Sequence, residues 1–287
     1  MRKLAYLFVA LAAGCGNGTP TPMPDMKPAQ TAPALYVGAN PDAGMPADES
    51  CLGSRMDPAA PTMDTMLAGT IKDFQDSNPV AGAVVSVYTD PSQMVNNMPV
   101  AQSAPSGMDG SYTITVPKGY YRVIFGNSGG MAISNGAMTG TIPAFEYQVA
   151  YNVKDRVAVK TSTRDVIPSL VGITPDPTLG VLAGVVRDCG GKIAGGATVQ
   201  VTTTPPYDQT LIFYFVNAGG TPVPSRNAHW TSGDPGVYAA LNVPTGTATV
   251  TATGSVAAGM PQTLGSASIP VLAGSIVIAD ILPTPGK

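Results

Sequence analysis

From about residue 66 onward, short runs of alternating apolar and polar residues recur along the chain. Ala83, Val85 and Val87 alternate with Val84, Ser86 and Tyr88, and Ala197, Val199 and Val201 alternate more cleanly with Thr198, Gln200 and Thr202. Successive side chains of a strand point to opposite faces, so each run predicts a strand with one face turned to a core. Tyr121, Val123 and Phe125 repeat the pattern, as do Ala248, Val250 and Ala252. Turn signals stand between the runs: Asp109-Gly110 is of hairpin type. Pro117-Lys118-Gly119 and Pro244-Thr245-Gly246 place Pro and Gly where tight turns want them. Glu146 to Val153 predicts an added strand, and Ser266 to Ile281 a closing hairpin that turns at Ala273-Gly274. No amphipathic helical stretch of useful length stands out. Short strands with turns every 8 to 12 residues or so predict an all-β chain of antiparallel sandwiches.

The same module is written twice. Leu67-Ala68-Gly69-Thr70-Ile71-Lys72-Asp73 is answered by Leu182-Ala183-Gly184-Val185-Val186-Arg187-Asp188. Ala81-Gly82-Ala83 leads into one strand and Gly195-Gly196-Ala197 into its counterpart. Asp109-Gly110-Ser111-Tyr112 is answered by Asp234-Pro235-Gly236-Val237-Tyr238. Leu67 and Leu182 stand 115 residues apart, Pro117 and Pro244 stand 127 apart, and the landmarks between keep their order. Duplication explains this. The pattern of Gly69, Asp73, Gly82-Ala83-Val84-Val85, Asp109-Gly110-Ser111-Tyr112 and Pro117-Lys118-Gly119-Tyr120-Tyr121-Arg122-Val123 resembles the carboxypeptidase regulatory-like, or transthyretin-like, domain. The resemblance covers roughly residues 66–126 and 181–254. The second copy departs from it at Pro235 and at Ala248, where a Tyr is usual. It implies two tandem β-sandwiches, at 66–178 and 179–287, of a kind that serves as accessory, adhesive or spacer modules without catalysis.

The N-terminus reads differently. Arg2 and Lys3 precede an apolar run from Leu4 to Leu11, then Ala12-Ala13-Gly14 and Cys15. The run is too short for a membrane span and has the anatomy of a secretory signal over residues 1–14. The Cys after small residues resembles a bacterial lipobox, although Ala12 stands where Leu is usual. That resemblance implies lipidation at Cys15, a membrane partner through the lipid, and, with Gly16 following, the outer membrane. Residues 15–65 read as a lipidated, flexible linker, rich in Pro, Ala, Thr and Gly, with Leu35-Tyr36-Val37 as the main apolar cluster. Such a stretch buries too little to offset its ordering entropy, and about 35 residues of it would span on the order of 30 to 100 Å.

Composition narrows the function classes. Hydrophobic residues make up 44% of the 287, enough for real cores, while charged residues reach only 11% against a usual quarter or so. The net charge of −3 and the absence of basic runs argue against nucleic acid.

Candidate chemistry is thin. Gly126-Asn127-Ser128-Gly129-Gly130 has the spelling of an esterase nucleophile elbow, but that turn needs a following helix with a partner His and acid, and here no helical pattern follows in a chain with a single His. His229, the single His, lies beside the single Trp, Trp230, in a loop rich in Pro, Ser and Asn. Asp73, Asp76 and Asn78 crowd one turn without the spacing of a Ca²⁺ loop, and one His without paired cysteines argues against zinc. The scattered methionines form no thioether site. No catalytic residue, metal or cofactor is expected. Two cysteines remain once Cys15 carries lipid, and in an oxidising compartment disulfides persist. Cys51 and Cys189 are expected to pair; two free thiols, or pairing with another chain, are the alternatives. The expected function is a non-catalytic envelope lipoprotein acting as a structural or protein-interaction unit. The alternative is a carbohydrate- or peptide-binding surface lipoprotein, its contacts drawn from Tyr207, Phe213, Tyr214, His229 and Trp230. The expected partner is an envelope protein or a glycan.

Overall fold

The alternating runs become strands, and the Gly and Pro clusters become the turns between them. In the computed structural model, residues 31–283 are described except for 40, 43, 121, 135–136, 150–154, 220 and 257–259. An N-terminal segment holds β1 (Tyr36–Val37) and β2 (Met45–Pro46). The first half holds β3 (Thr65–Asp73), β4 (Val80–Ala81), β5 (Val84–Tyr88), α1 (Pro91–Val95), β6 (Ala101–Gln102), β7 (Ser111–Val116), β8 (Arg122–Ser128), β9 (Met131–Ser134), β10 (Ala137–Ile142), β11 (Ala144–Val149), β12 (Arg156–Lys160) and α2 (Thr161–Leu170). The second half holds β13 (Gly180–Val185), β14 (Thr198–Thr203), β15 (Leu211–Ala218), β16 (Thr221–Ser225), β17 (Val237–Val243), β18 (Gly246–Ser255), β19 (Pro261–Val271) and β20 (Ile276–Ala279). Among the described residues the chain is all-β, with two short helices.

The duplication is visible in the pairing. β3 pairs β7 with Leu67 opposite Ile114 and Gly69 opposite Tyr112, and β13 pairs β17 with Leu182 opposite Ala240 and Gly184 opposite Tyr238. These are the same repeat positions. β5 pairs β8 as β14 pairs β18, so Val85 and Val199 lie on equivalent strands. Val87 faces Phe125, whereas Val201 faces Val250, two residues off the repeat register. A shift of two keeps every side chain on its own face, because the strand period is two. Gly82 and Gly196, with φ of 72° and 85°, turn the chain into β5 and β14 in a conformation that L side chains rarely adopt.

The two sandwich halves follow one another along the chain and share a sheet. A nine-stranded sheet, ordered β16-β15-β17-β13-β20-β11-β8-β5-β6, runs through both. It supplies the β5–β8 layer to the first half, facing a six-stranded sheet of order β4-β9-β10-β12-β3-β7. In the second half it supplies the β13–β17 layer, facing the three strands β14-β18-β19. β20 is the joint: it lies parallel to β13 on one side and to β11 on the other. Purely antiparallel sandwiches were expected, and this joint, together with the parallel β12–β3 pair, departs from that. The closing hairpin also needs correction. β19 pairs with β18 in one layer and β20 crosses to the other, so the turn at Gly274 is a corner between sheets.

The joint explains the burial pattern. Val85, Val87, Val123 and Phe125 fill the first core, while Tyr88, Ile124 and Phe145, on the other face of the same sheet, join the core of the second half. Met94 of α1 is buried there too. Asp90 caps α1, accepting from the N–H groups of Ser92 and Gln93.

The expected linker over 15–65 is structured where it is described. Leu35 and Tyr36 are buried, and Leu35 N–H donates to Ser255 O while Tyr36 and Gly195 exchange both backbone bonds. A side chain at Gly195 would strike the Tyr36 ring, and one at Gly233 the Gly38 backbone. The glycines of the second half thus admit the segment at backbone distance. Of the apolar trio at 35–37, noted in the sequence, it buries Leu35 and Tyr36 and leaves Val37 half-buried. The Cys15 lipidation, the signal region 1–14 and the tether up to residue 30 lie outside the described residues.

Candidate functional site

Cys51 and Cys189 are joined by a disulfide, with Cα atoms 5.5 Å apart. The approach is zipped beforehand: Asp48 N–H donates to Asp188 Oδ2 at 3.0 Å and Cys189 N–H to Asp48 O at 2.9 Å. The bridge therefore ties the N-terminal segment to the β13–β14 turn of the second half.

The aromatic residues expected to contact a ligand do not form a row. Tyr214 is buried in the second core, and its Oη accepts from Val199 N–H at 2.8 Å, so it holds β15 to β14 and is not a surface contact. Tyr207 is half-buried, its hydroxyl 3.4 Å from Gln209 Oε1. His229 and Trp230 are half-buried neighbours with ring centroids 6.0 Å apart. Their loop is anchored by the next residue, Thr231, which is fully buried. Ser128 of the esterase-like spelling ends β8 and leads to β9, with no helix behind it.

Thr231 belongs to a paired device that the sequence reading missed. Its Oγ1 accepts from Ala197 N–H and donates to Ala194 O. In the first half Ser106 Oγ accepts from Ala83 N–H and donates to Val80 O. Each hydroxyl latches the turn before β5 or β14. A hydroxyl just ahead of the Asp-Gly and Asp-Pro-Gly turns was the available signal.

Asp73 and Asp76 do converge, but on Lys160, whose Nζ lies 3.3 and 2.6 Å from their carboxylates. One ammonium thus bridges the two carboxylates, and no cluster of three metal-binding side chains occurs among the described residues. Burial pushes the Asp73 carboxyl up. It acts in the same direction on Asp76, where the bonds from Lys160 and Asn78 outweigh it and hold the carboxyl below its ordinary value. Deeper in the first core, Arg156 stacks 3.8 Å over the Phe125 ring, with Nη1 3.1 Å from Glu146 Oε2 and Nε 3.0 Å from Tyr112 Oη. Glu146 Oε1 also accepts from Val157 N–H at 2.7 Å. Burial pushes Glu146 up, opposed by Arg156. This network pins β11 to β12 across the two sheets.

An apolar cleft of about 210 Å³ lies at the seam between the halves. One wall is the outward face of β13 and β17: Val181, Ala183, Val185, Val237, Ala239 and Leu241. The other side comes from the first half, with Phe74, Ile142, Val157 and Val159, and α2 adds Ile167 and Pro168. Phe74 meets Phe215 edge to face across it, centroids 6.1 Å apart. Arg226 donates to the Val171 carbonyl at the end of α2. The sequence reading missed this site, because its walls come from two different sheets, one in each half.

No family model matches the chain, and no curated protein matches it. Among solved structures it is similar to the Bacillus anthracis TIE protein, at 12% identity and a TM-score of 0.24, over 77% of this chain and 34% of that one. It is also similar to the shaft pilin SpaA from Lactobacillus rhamnosus GG, at 12% identity and TM-score 0.24, over 78% of this chain and 98% of the pilin. The major pilin subunit BcpA of Bacillus cereus aligns at 12% identity and TM-score 0.22, over 76% and 59%. The chain thus spans about a third of the TIE protein. At these TM-scores the likeness carries no conclusion about this chain.

Proposed function

We propose that this chain is a non-catalytic lipoprotein of the cell envelope, held at the outer membrane through lipid on Cys15, whose two carboxypeptidase regulatory-like halves act as one structural or protein-interaction unit. The observation that carries the reading is the union of the halves. A single nine-stranded sheet and the Cys51–Cys189 bridge join both halves and the N-terminal segment into one body. Such a body presents broad fixed surfaces and suits binding a macromolecule more than opening and closing around a substrate. The signal-like and lipobox-like residues up to Cys15 supply the address. The Cys15→Ser variant is expected to remain unprocessed or to leave the membrane fraction on envelope fractionation; full membrane retention of that variant would overturn the anchor. Crosslinking in intact envelopes is expected to capture a protein partner, and a monomer free of any crosslinked partner would overturn the interaction role.

A further inference from the structure

We propose that the seam cleft is a binding site for a single-chain amphiphile with an uncharged head, its hydrocarbon chain lying between the β13–β17 face and α2. The inference stands independently of the lipoprotein reading.

The strongest observation comes from the repeat itself. In the first half the outward positions of β7 are Ser111, Thr113 and Thr115, all exposed. At the matching positions of β17 stand Val237, Ala239 and Leu241, and all of them line the cleft. The same sheet face is thus polar and solvated in one copy and apolar in the other. The apolar copy is faced by the other half without being filled: about 210 Å³ stays open at its centre. Packed interiors seldom leave such voids, and a smaller apolar cavity of about 150 Å³ already takes up a benzene ring. Ligand sites favour domain interfaces with apolar walls and a few polar groups at one end.

That polar end is present. A second pocket of about 260 Å³ adjoins the cleft and shares Arg164, Val181 and Leu241 with it. Its remaining lining includes Asp165, Asp176, Asn242 and Ser275. An apolar chamber opening into a polar vestibule matches a chain with a head. The charges in the vestibule select the head. Arg164 is held by Asp165, with Nε and Nη2 both 2.8 Å from Oδ1. Asp176 is left as a further carboxylate, bonded to Thr178. An anionic head would meet that carboxylate and a guanidinium already engaged, so the vestibule disfavours an anionic head and accommodates an uncharged, hydroxyl-bearing one.

Calorimetric titration of the full chain with 1-octanol and with octanoate compares one chain length under two heads. The expected result is saturable binding of one 1-octanol with a negative heat-capacity change, as apolar burial requires, and at least tenfold weaker binding of octanoate. Ala183→Phe, which fills the cleft from the outward face of β13, is expected to weaken 1-octanol binding at least tenfold with an unchanged circular dichroism spectrum. Should that variant fail to fold, Ile167→Phe on α2 reads the same loss from the opposite wall. No saturable binding of 1-octanol, octanoate binding as tightly as 1-octanol, or a folded cleft-filling variant binding as wild type does would each overturn the proposal.

Discussion

The two halves share a plan and solve its problems differently. Where Tyr112 meets a buried Arg156–Glu146 pair in the first core, Tyr238 in the second donates to the Ala279 carbonyl, and the ion pair of the next residue, Asp280 with Arg187, is only half-buried. The outward face of β7 is hydroxyl-lined and solvated, whereas that of β17 is apolar and turned to the seam. The second half is also completed by a borrowed segment, residues 34–36 and 47–51, and by a covalent bond to it. The first half is held by the continuation of that segment, Asp57 pairing with Arg122 while Pro61 and Asp64 accept from the N–H groups of Gly119 and Lys118, but without a covalent bond among the described residues. Within one duplicated sequence the copies share a core across β5 and β8, while the staple and the apolar outward face belong to the second alone.

The largest effect should come from the staple. Replacing Cys51 and Cys189 by Ser opens a closure of sequence separation 138, worth up to about 5 kcal/mol in the chain-entropy model. Hydrogen exchange should then rise first at Leu35, Tyr36 and Gly195, while β3 and β7 keep their protection. Equal loss in both halves would break the contrast.

Next is the charged core. Arg156→Met should cost about 3–5 kcal/mol at neutral pH, because it leaves the Glu146 carboxylate buried and uncompensated. Burial already raises the folded-state pKa of Glu146 above its unfolded value. The contribution of a group raised in this way is fully present below the unfolded pKa and is lost as pH rises through the folded one. The penalty of Arg156→Met should therefore shrink as pH falls, which urea denaturation at about pH 5 and pH 8 would read. Tyr238→Phe in the second half should show no such pH dependence over that range.

The latches should cost less and cost alike. Ser106→Ala and Thr231→Val each strand a buried N–H and a buried carbonyl, for about 1–3 kcal/mol apiece. Markedly unequal losses would show that the copies do not use the hydroxyl in the same way. Smallest is the outward face. Thr115→Leu on the solvated side should stay within about 0.5 kcal/mol, whereas Leu241→Thr at the matching cleft position should cost about 2 kcal/mol. The same chemical exchange in opposite directions then measures how far the two faces have diverged.

The parts of this plan that were legible in the sequence are those that depend on near neighbours. Alternation at Val85 and Val199, the turn residues at Gly82 and Gly196, and the order of the landmarks all fix local strands and their first partners. The all-β class follows from them. The Cys51–Cys189 bridge could be reasoned from parity and compartment. The route of β20 could not. Ile276-Val277-Ile278-Ala279 reads as any short buried strand, and nothing in it says whether it returns to β19 or crosses to β13 and β11. The cleft depends on that choice, so it was invisible as well. Tyr214 misled for a related reason: an aromatic in a strand reads the same whether its hydroxyl faces solvent or satisfies Val199 N–H.

The bridge between Cys51 and Cys189 also sets how the molecule carries mechanical load. Tension applied between a point before Cys51 and a point after Cys189 crosses from one sulfur to the other, and the chain between them, a sequence separation of 138, is covalently bypassed. The whole first half lies inside that bypassed loop. A pull on the N-terminal segment would be borne by the second half, while β3 to β12 remain slack and folded. Reduction would move the first half onto the load-bearing path and add its contour to the extension at which the chain gives way.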